Sequence, residues 1–155
     1  MMTTPYVAQD IGHDEGGFRS EAYPDPDTGA APWTVGFGET GPSIGPDTTM
    51  TLDQATNFLN AQVQQIEHQL DLAIPWWRQM NDARQDVFVN MAYNLGVHGL
   101  LEWPLFLNAC KAGDWNLAEV DMIGTPGKPD KWERQVKTRG TRLAKQLVSG
   151  VRVAP

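Results

Sequence analysis

Apolar residues recur along the chain at two spacings, and each spacing predicts a different kind of element. Val7, Ile11 and Glu15 stand four apart behind Thr4-Pro5, a capping hydroxyl followed by proline at a first helical position. A helix is expected from there to Gly16-Gly17, with Glu15 at its end, in line with the apolar stripe. Phe18–Asp25 and Trp33–Gly38 read as two strands, and the Pro24–Gly29 stretch between them has turn chemistry, so a hairpin with a long loop follows. On the second strand Trp33, Val35 and Phe37 face one way, and Thr34, Gly36 and Gly38 the other. A strand face made of one hydroxyl and two glycines is poor core material. It suits a surface where a ligand approaches the backbone closely.

Residues 39–50 form a loop of Gly, Pro and Thr, after which the period changes. Thr51 and Gln54 have the spacing of a capping box. Leu52, Ala55, Leu59, Val63 or Ile66, Leu70 and Ile74 then keep helical spacing until Pro75 stops them, giving a long helix that joins two lobes. Val87, Phe88, Met91, Ala92 and Leu95 mark another helix, opened near Asp82 and closed by Gly96. Shorter helices run to Gly113, Asp114 caps the next, and the loop Gly124–Asp130 precedes a final basic helix ending near Gly150. The expected fold is α+β and mainly helical, a single domain over 1–155. A small N-terminal β-hairpin lobe covers approximately 14–60, and an all-helical lobe covers 61–155 together with 1–13.

Composition narrows the function classes. A chain of 155 residues buries a sizeable core. No apolar run approaches the ~20 residues that span a bilayer, so membrane insertion is not expected. The start, Met-Met-Thr-Thr-Pro-Tyr, has neither a basic nor an apolar segment, so no signal peptide is expected and synthesis is placed in the cytoplasm. Cys110 is the single cysteine, and a core position is expected for it. His13, His68 and His98 are scattered, and no phosphate-loop or dinucleotide motif occurs, so neither a metal site nor a cofactor is expected. The net charge of −7 conceals a split: residues 128–155 carry +6 and the first 127 carry −13. The C-terminal segment is thus expected to face an anionic partner. Nucleic acid is one such partner, but no nucleic-acid motif accompanies the charge, so it is not the partner expected.

Two acids stand in contrasting settings. Glu15 lies on an apolar helix face and Asp25 in a polar turn. Glycoside hydrolysis needs such a contrast: a donor that stays protonated near neutrality, and a carboxylate that stays ionised and manages water. With seventeen acids in the first 127 residues, many other pairs remain open on this ground alone.

Three motifs single this pair out. Glu15-Gly-Gly-Phe-Arg-Ser-Glu-Ala-Tyr23-Pro-Asp25 is followed by Pro32-Trp-Thr34-Val-Gly36-Phe-Gly38-Glu-Thr-Gly41. Ala83–Gly96 holds Asn90, Tyr93 and Asn94, and Trp132–Arg142 holds Gln135, Arg139 and Arg142. In that order they resemble the phage lysozyme family, glycoside hydrolase family 24, from about residue 8 to residue 150. The resemblance implies a lysozyme-like two-lobed fold and a muramidase cutting the β-1,4 bond between N-acetylmuramic acid and N-acetylglucosamine in peptidoglycan. It implies Glu15 as acid, with Asp25 and Thr34 holding the attacking water, and inversion as the outcome. Tyr93, Asn94, Arg139 and the backbone at Gly36 and Gly38 would meet the glycan. It further implies a monomeric endolysin, made in the host cytoplasm and released to the wall by a holin or similar route.

The chain departs from the family at several points. Nine residues separate Glu15 from Asp25 and eight separate Asp25 from Thr34, both longer than the family's spacing, and the second leaves Asp27 as a rival to Asp25. Glu39 stands where many members have histidine, and the loop 124–130 reads as an insertion. Two other readings stay open: a lytic transglycosylase, and an inactive peptidoglycan-binding phage protein.

Overall fold

The computed structural model describes residues 4–155. The fold is α+β and mainly helical, with a small antiparallel sheet and a helical C-terminal region, as the hydrophobic pattern predicts. Ala8–Val63 forms one compact unit; Gln64–Pro155, with the residues up to Val7, forms the other.

In the first unit, helix α1 spans Val7–Asp14. It starts later than the Thr4-Pro5 pair predicts. The Thr4 hydroxyl accepts the Tyr6 N–H at 3.2 Å and donates to Asp86 Oδ2 at 2.7 Å, so it closes a turn ahead of the helix. Strands β1 (Arg19–Tyr23), β2 (Thr34–Gly36) and β3 (Glu39–Thr40) form an antiparallel sheet in that order. The sequence pattern did not predict β3. The expected straight strand Trp33–Gly38 instead folds back on itself: Gly36 has φ +69°, Gly38 has φ +103°, and the Gly38 N–H reaches Val35 O at 3.3 Å.

Helix α2 (Leu52–Ala73) opens with the predicted reciprocal box: Gln54 N–H to Thr51 Oγ1 at 3.1 Å, and Thr51 N–H to Gln54 Oε1 at 2.9 Å. Its predicted stripe is buried at Ala55, Leu59, Val63 and Leu70, and Ile74 is buried just past its end. Of Val63 and Ile66, Val63 is the core residue. The core of this unit is Ala8, Ile11, Val35, Ala55, Leu59 and Val63. Burying each of the larger aliphatic side chains contributes about 1.5–3 kcal/mol. Gly12 lets α1 approach the sheet, since a Cβ there would lie 3.1 Å from the Phe37 ring and 3.4 Å from Leu59. Phe37 in turn stacks at a tilt on Phe18, 5.7 Å between ring centres.

The second unit holds α3 (Asp82–Leu95), α4 (Val97–Leu101), α5 (Pro104–Ala112), α6 (Trp115–Ile123), the two-stranded β4 (Gly124–Thr125) and β5 (Lys128–Pro129), α7 (Lys131–Val136) and α8 (Thr138–Ser149). Trp77, Phe88, Met91, Leu100, Phe106, Met122, Leu143 and Leu147 fill its core. Asp114 caps α6 as predicted, accepting the Leu117 N–H at 3.1 Å. The segment 124–130 is a short hairpin. The single basic helix expected after it is two helices, broken at Lys137, whose φ of +52° ends α7. Arg84 braces α8 by donating to Leu147 O and Val148 O while its guanidinium lies 3.9 Å above the Trp115 ring. At the end of the chain, the Arg152 guanidinium covers the Tyr6 ring at 4.4 Å.

Candidate active site

Glu15 is the residue on which α1 ends. Its N–H reaches Ile11 O at 2.9 Å, Gly16 N–H reaches His13 O at 3.0 Å, and Gly17 N–H reaches Gly12 O at 3.0 Å. These last two bonds make a Schellman turn, which requires a left-handed residue at Gly16, where φ is +97°. The second glycine, Gly17, also has positive φ, so the extra residue after the helix is absorbed without unwinding it. Glu15 is half-buried and faces the negative end of the helix dipole. Its side chain rests against Gly38: a Cβ built there would sit 3.6 Å from Glu15 Oε2.

Asp25 organises the hairpin loop. Its Oδ1 accepts the N–H groups of Asp27 at 2.9 Å and Thr28 at 3.0 Å, and its main chain closes the loop through Ala30 O and Gly29 N–H. Asp25 is half-buried and held in this turn, whereas Asp27 is exposed. Thr34 pairs across the ladder with Tyr23, two residues before Asp25. Between Arg19↔Gly36 and Tyr23↔Thr34, β1 runs four steps against two on β2, a bulge that carries the extra residues of this strand.

The sequence reading missed the burial of Glu39. Its side chain is 4% exposed; Oε2 accepts the Phe37 N–H at 2.6 Å, and Oε1 is buried without a hydrogen-bond partner. Burial pushes this carboxyl above the ordinary glutamate value, its own N–H and that of Phe37 pull it back, and the charge of Glu15 adds to the rise. Gly36 has no room for a side chain, because the Glu39 carboxyl and Met50 Sδ occupy the space. An acid directly after the Gly-x-Gly run was the available signal, but no local period says that it turns inward.

In the other unit, the exposed Asn94 accepts the Trp132 indole N–H at 2.8 Å, and Tyr93 is half-buried beside it. Arg139, expected among the glycan contacts, is 8% exposed, and its Nε donates to Asn90 Oδ1 at 2.8 Å. Its Nη2 lies 3.5 Å from Asn90 O. Arg142 is likewise buried and donates to Val153 O at 2.9 Å. Cys110 is buried, and burial pushes its thiol up to about 12, which makes it inert.

The sequence profile described as Phage lysozyme matches residues 13–144. The chain belongs to the phage lysozyme family. The matched stretch includes Glu15, Asp25, Thr34 and Glu39, together with Tyr93, Asn94 and Arg139. The chain is also similar to the pre-baseplate central spike protein Gp5 of Enterobacteria phage T4, with 27% identity over 105 residues. That alignment covers 66% of the chain but only 17% of the spike protein. Among the described residues of this phage lysozyme family member, no helix is long and apolar enough to cross a membrane, and no cluster of three or more His, Cys, Asp or Glu is placed to hold a metal ion. Arg134, Lys137, Arg142 and Lys145, with Glu133, Thr138, Thr141 and Val153, line a surface cavity of about 480 Å³.

Proposed function

We propose that the chain is a peptidoglycan muramidase that hydrolyses the β-1,4 bond between N-acetylmuramic acid and N-acetylglucosamine with inversion. Glu15 gives its proton to the leaving glycosidic oxygen. Asp25 and Thr34 hold a water on the opposite face of the sugar, and Asp25 takes the water's proton as its oxygen attacks the anomeric carbon. The observation that carries this reading is the setting of Glu15: a family acid at a helix end, resting on a glycine of the β2–β3 turn that has no side chain to block a sugar. The turn-bound carboxylate of Asp25 supports its role over the exposed Asp27. The bare backbone at Gly36 and Gly38 contacts the glycan, a role that the family resemblance also implies for Tyr93, Asn94 and Arg139. The basic cavity residues meet the anionic wall. The protein acts as a monomeric endolysin, made in the host cytoplasm and reaching the wall through a holin or similar route.

Turbidity loss of purified sacculi, wild type beside Glu15→Gln, tests the proposal. Lysis by the wild type should fall at least about 100-fold in the variant, the usual worth of a general acid, with the melting temperature unchanged. Retention of a tenth of the activity would refute Glu15 as the acid. Anhydro ends among the products would mark a lytic transglycosylase instead, and binding of sacculi without lysis would mark an inactive wall-binding protein.

A further inference from the structure

Hydrolysis needs none of the residues around the cavity at α7 and α8, yet that cavity gathers charge. Thr138, Thr141, Arg142 and Lys145 stand at i, i+3, i+4 and i+7 on one face of α8, while Arg134 and Lys137 come from α7 and the break after it. Four cations and one acid, Glu133, thus line about 480 Å³ in a chain whose net charge is −7. Arg142 is buried and donates to Val153 O, whereas Arg134, Lys137 and Lys145 are exposed. Among the described residues these three form no ion pair, with Glu133 or any other acid. Like charges gathered without a counter-charge repel one another and cost stability.

The backbone adds a second cost at the same place. Among the described residues Lys137 is the one non-glycine residue with positive φ, at +52°. Glycine holds such a conformation without strain and lysine does not. A local rule broken in this way points to a demand other than folding, and Lys137 lines the cavity.

We propose that the cavity is a binding site for phosphate groups, those of the polyol-phosphate polymers that cell walls carry. This deepens the reading that the cavity meets the anionic wall, and rests on it for the source of the phosphate. The donor set selects the chemistry: two ammonium groups act as point charges, Arg134 offers an exposed guanidinium, and Thr138 and Thr141 each offer a hydroxyl. A tetrahedral phosphate presents oxygens in several directions to donors that arrive from two helices. A planar carboxylate is matched by the fork of one guanidinium. A polymer brings more than one phosphate to the four cations.

The test uses the intact Glu15→Gln protein, which leaves walls uncut and is changed only in the other unit. Backbone amide NMR at constant ionic strength follows titration with glycerol phosphate and, separately, with acetate. Glycerol phosphate should give saturating shifts over residues 134–141, and acetate should bind about tenfold more weakly. Adding Lys137→Gly should weaken glycerol phosphate about tenfold while raising the melting temperature, opposite effects that a purely structural lysine would not give. Arg134→Gln with Lys145→Gln, both exposed, should repeat the loss of binding without touching the strained backbone. Sedimentation with walls rich in polyol phosphate, before and after its removal with hydrofluoric acid, tests the source. Stripping should lower retention of the protein and leave that of the Arg134/Lys145 variant unchanged. Shifts that never saturate, or that acetate matches, would overturn the site. Saturable phosphate binding with equal retention on stripped walls would overturn the wall polymer as its ligand. A short DNA duplex that binds more tightly than the purified polymer would assign the cavity to nucleic acid instead. Neither arm reads lysis, so failure of the muramidase reading leaves both results standing.

Discussion

Gly38 lies directly against Glu15, and its backbone is one that only glycine adopts without strain. A Cβ at Gly38 would stand 3.6 Å from Glu15 Oε2 and 3.8 Å from Glu15 Cβ, which is ordinary contact, but φ is +103°. Space at this position is adequate; conformation is not. Gly38→Ala should therefore cost about 1–3 kcal/mol through backbone strain. The turn would relax by moving away from Glu15, so lysis should fall by about tenfold or more, a loss that misplacement of a catalytic group readily produces. Thermal melting beside a sacculus assay separates the two effects. A variant as stable and as active as wild type would show that the turn does not hold the acid.

Asp25 and Asp27 share one loop but differ in their bonds. Asp25→Asn keeps an oxygen that can accept the Asp27 and Thr28 N–H groups, so the loop should survive while lysis falls about 100-fold or more. Asp27→Asn should leave lysis within about twofold, because Asp27 is an exposed residue of that turn. The reverse ranking would transfer the role to Asp27.

Asp71 gives a stability test that is independent of activity. It accepts the Arg78 Nε–H and the Trp77 indole N–H, both at 2.8 Å, and the Arg78 bond holds its carboxyl below the ordinary aspartate value of 3.8. A lowered acid stabilises the fold above its ordinary value, and that contribution disappears as pH falls through the folded-state value. Asp71→Asn should thus melt about 2 °C lower at pH 7, a modest shift because the pair is partly exposed, and should converge with wild type once the pH has fallen through the folded-state value. A constant gap at all pH values would make the effect one of packing alone.

Arg134 and Lys145 are exposed at this largely basic cavity, whereas Arg139 and Arg142 are buried. Reversing both charges, Arg134→Glu with Lys145→Glu, should weaken sacculus binding at low salt and flatten its salt dependence through the range where screening lengths are about 8–10 Å. Lys137 is left alone because its left-handed backbone adds strain of its own. Identical salt curves for variant and wild type would reduce the charge split to a solvated face.

Where structure follows from neighbours in sequence, the sequence was readable. Thr51 and Gln54 announce α2, because each caps the other three residues away. Gly16-Gly17 announces the end of α1 and hence the position of Glu15. Strand β3 was not readable, since the reversal at Gly36 and Gly38 depends on φ values that alternation does not encode. The break at Lys137 carried no glycine to mark it. Glu39 and Arg139 look like surface residues by composition. One is enclosed against Met50 and the other is bonded to Asn90, 49 positions away, and only tertiary packing determines such placements. The three proposed reaction residues could be named because family motifs give them by position, while the environment around them could not.

The division of the chain also sets a timetable for its synthesis. The partners of the first described residues are made late: Asp86, which takes the Thr4 hydroxyl, and Arg152, which covers Tyr6. Ala8–Val63 is one uninterrupted stretch, whereas the other unit draws on both ends of the chain. Units generally fold as wholes as they leave the ribosome. The stretch bearing Glu15, Asp25 and Thr34 is therefore made before any of Gln64–Pro155, and Thr4 waits for a partner made 82 positions later.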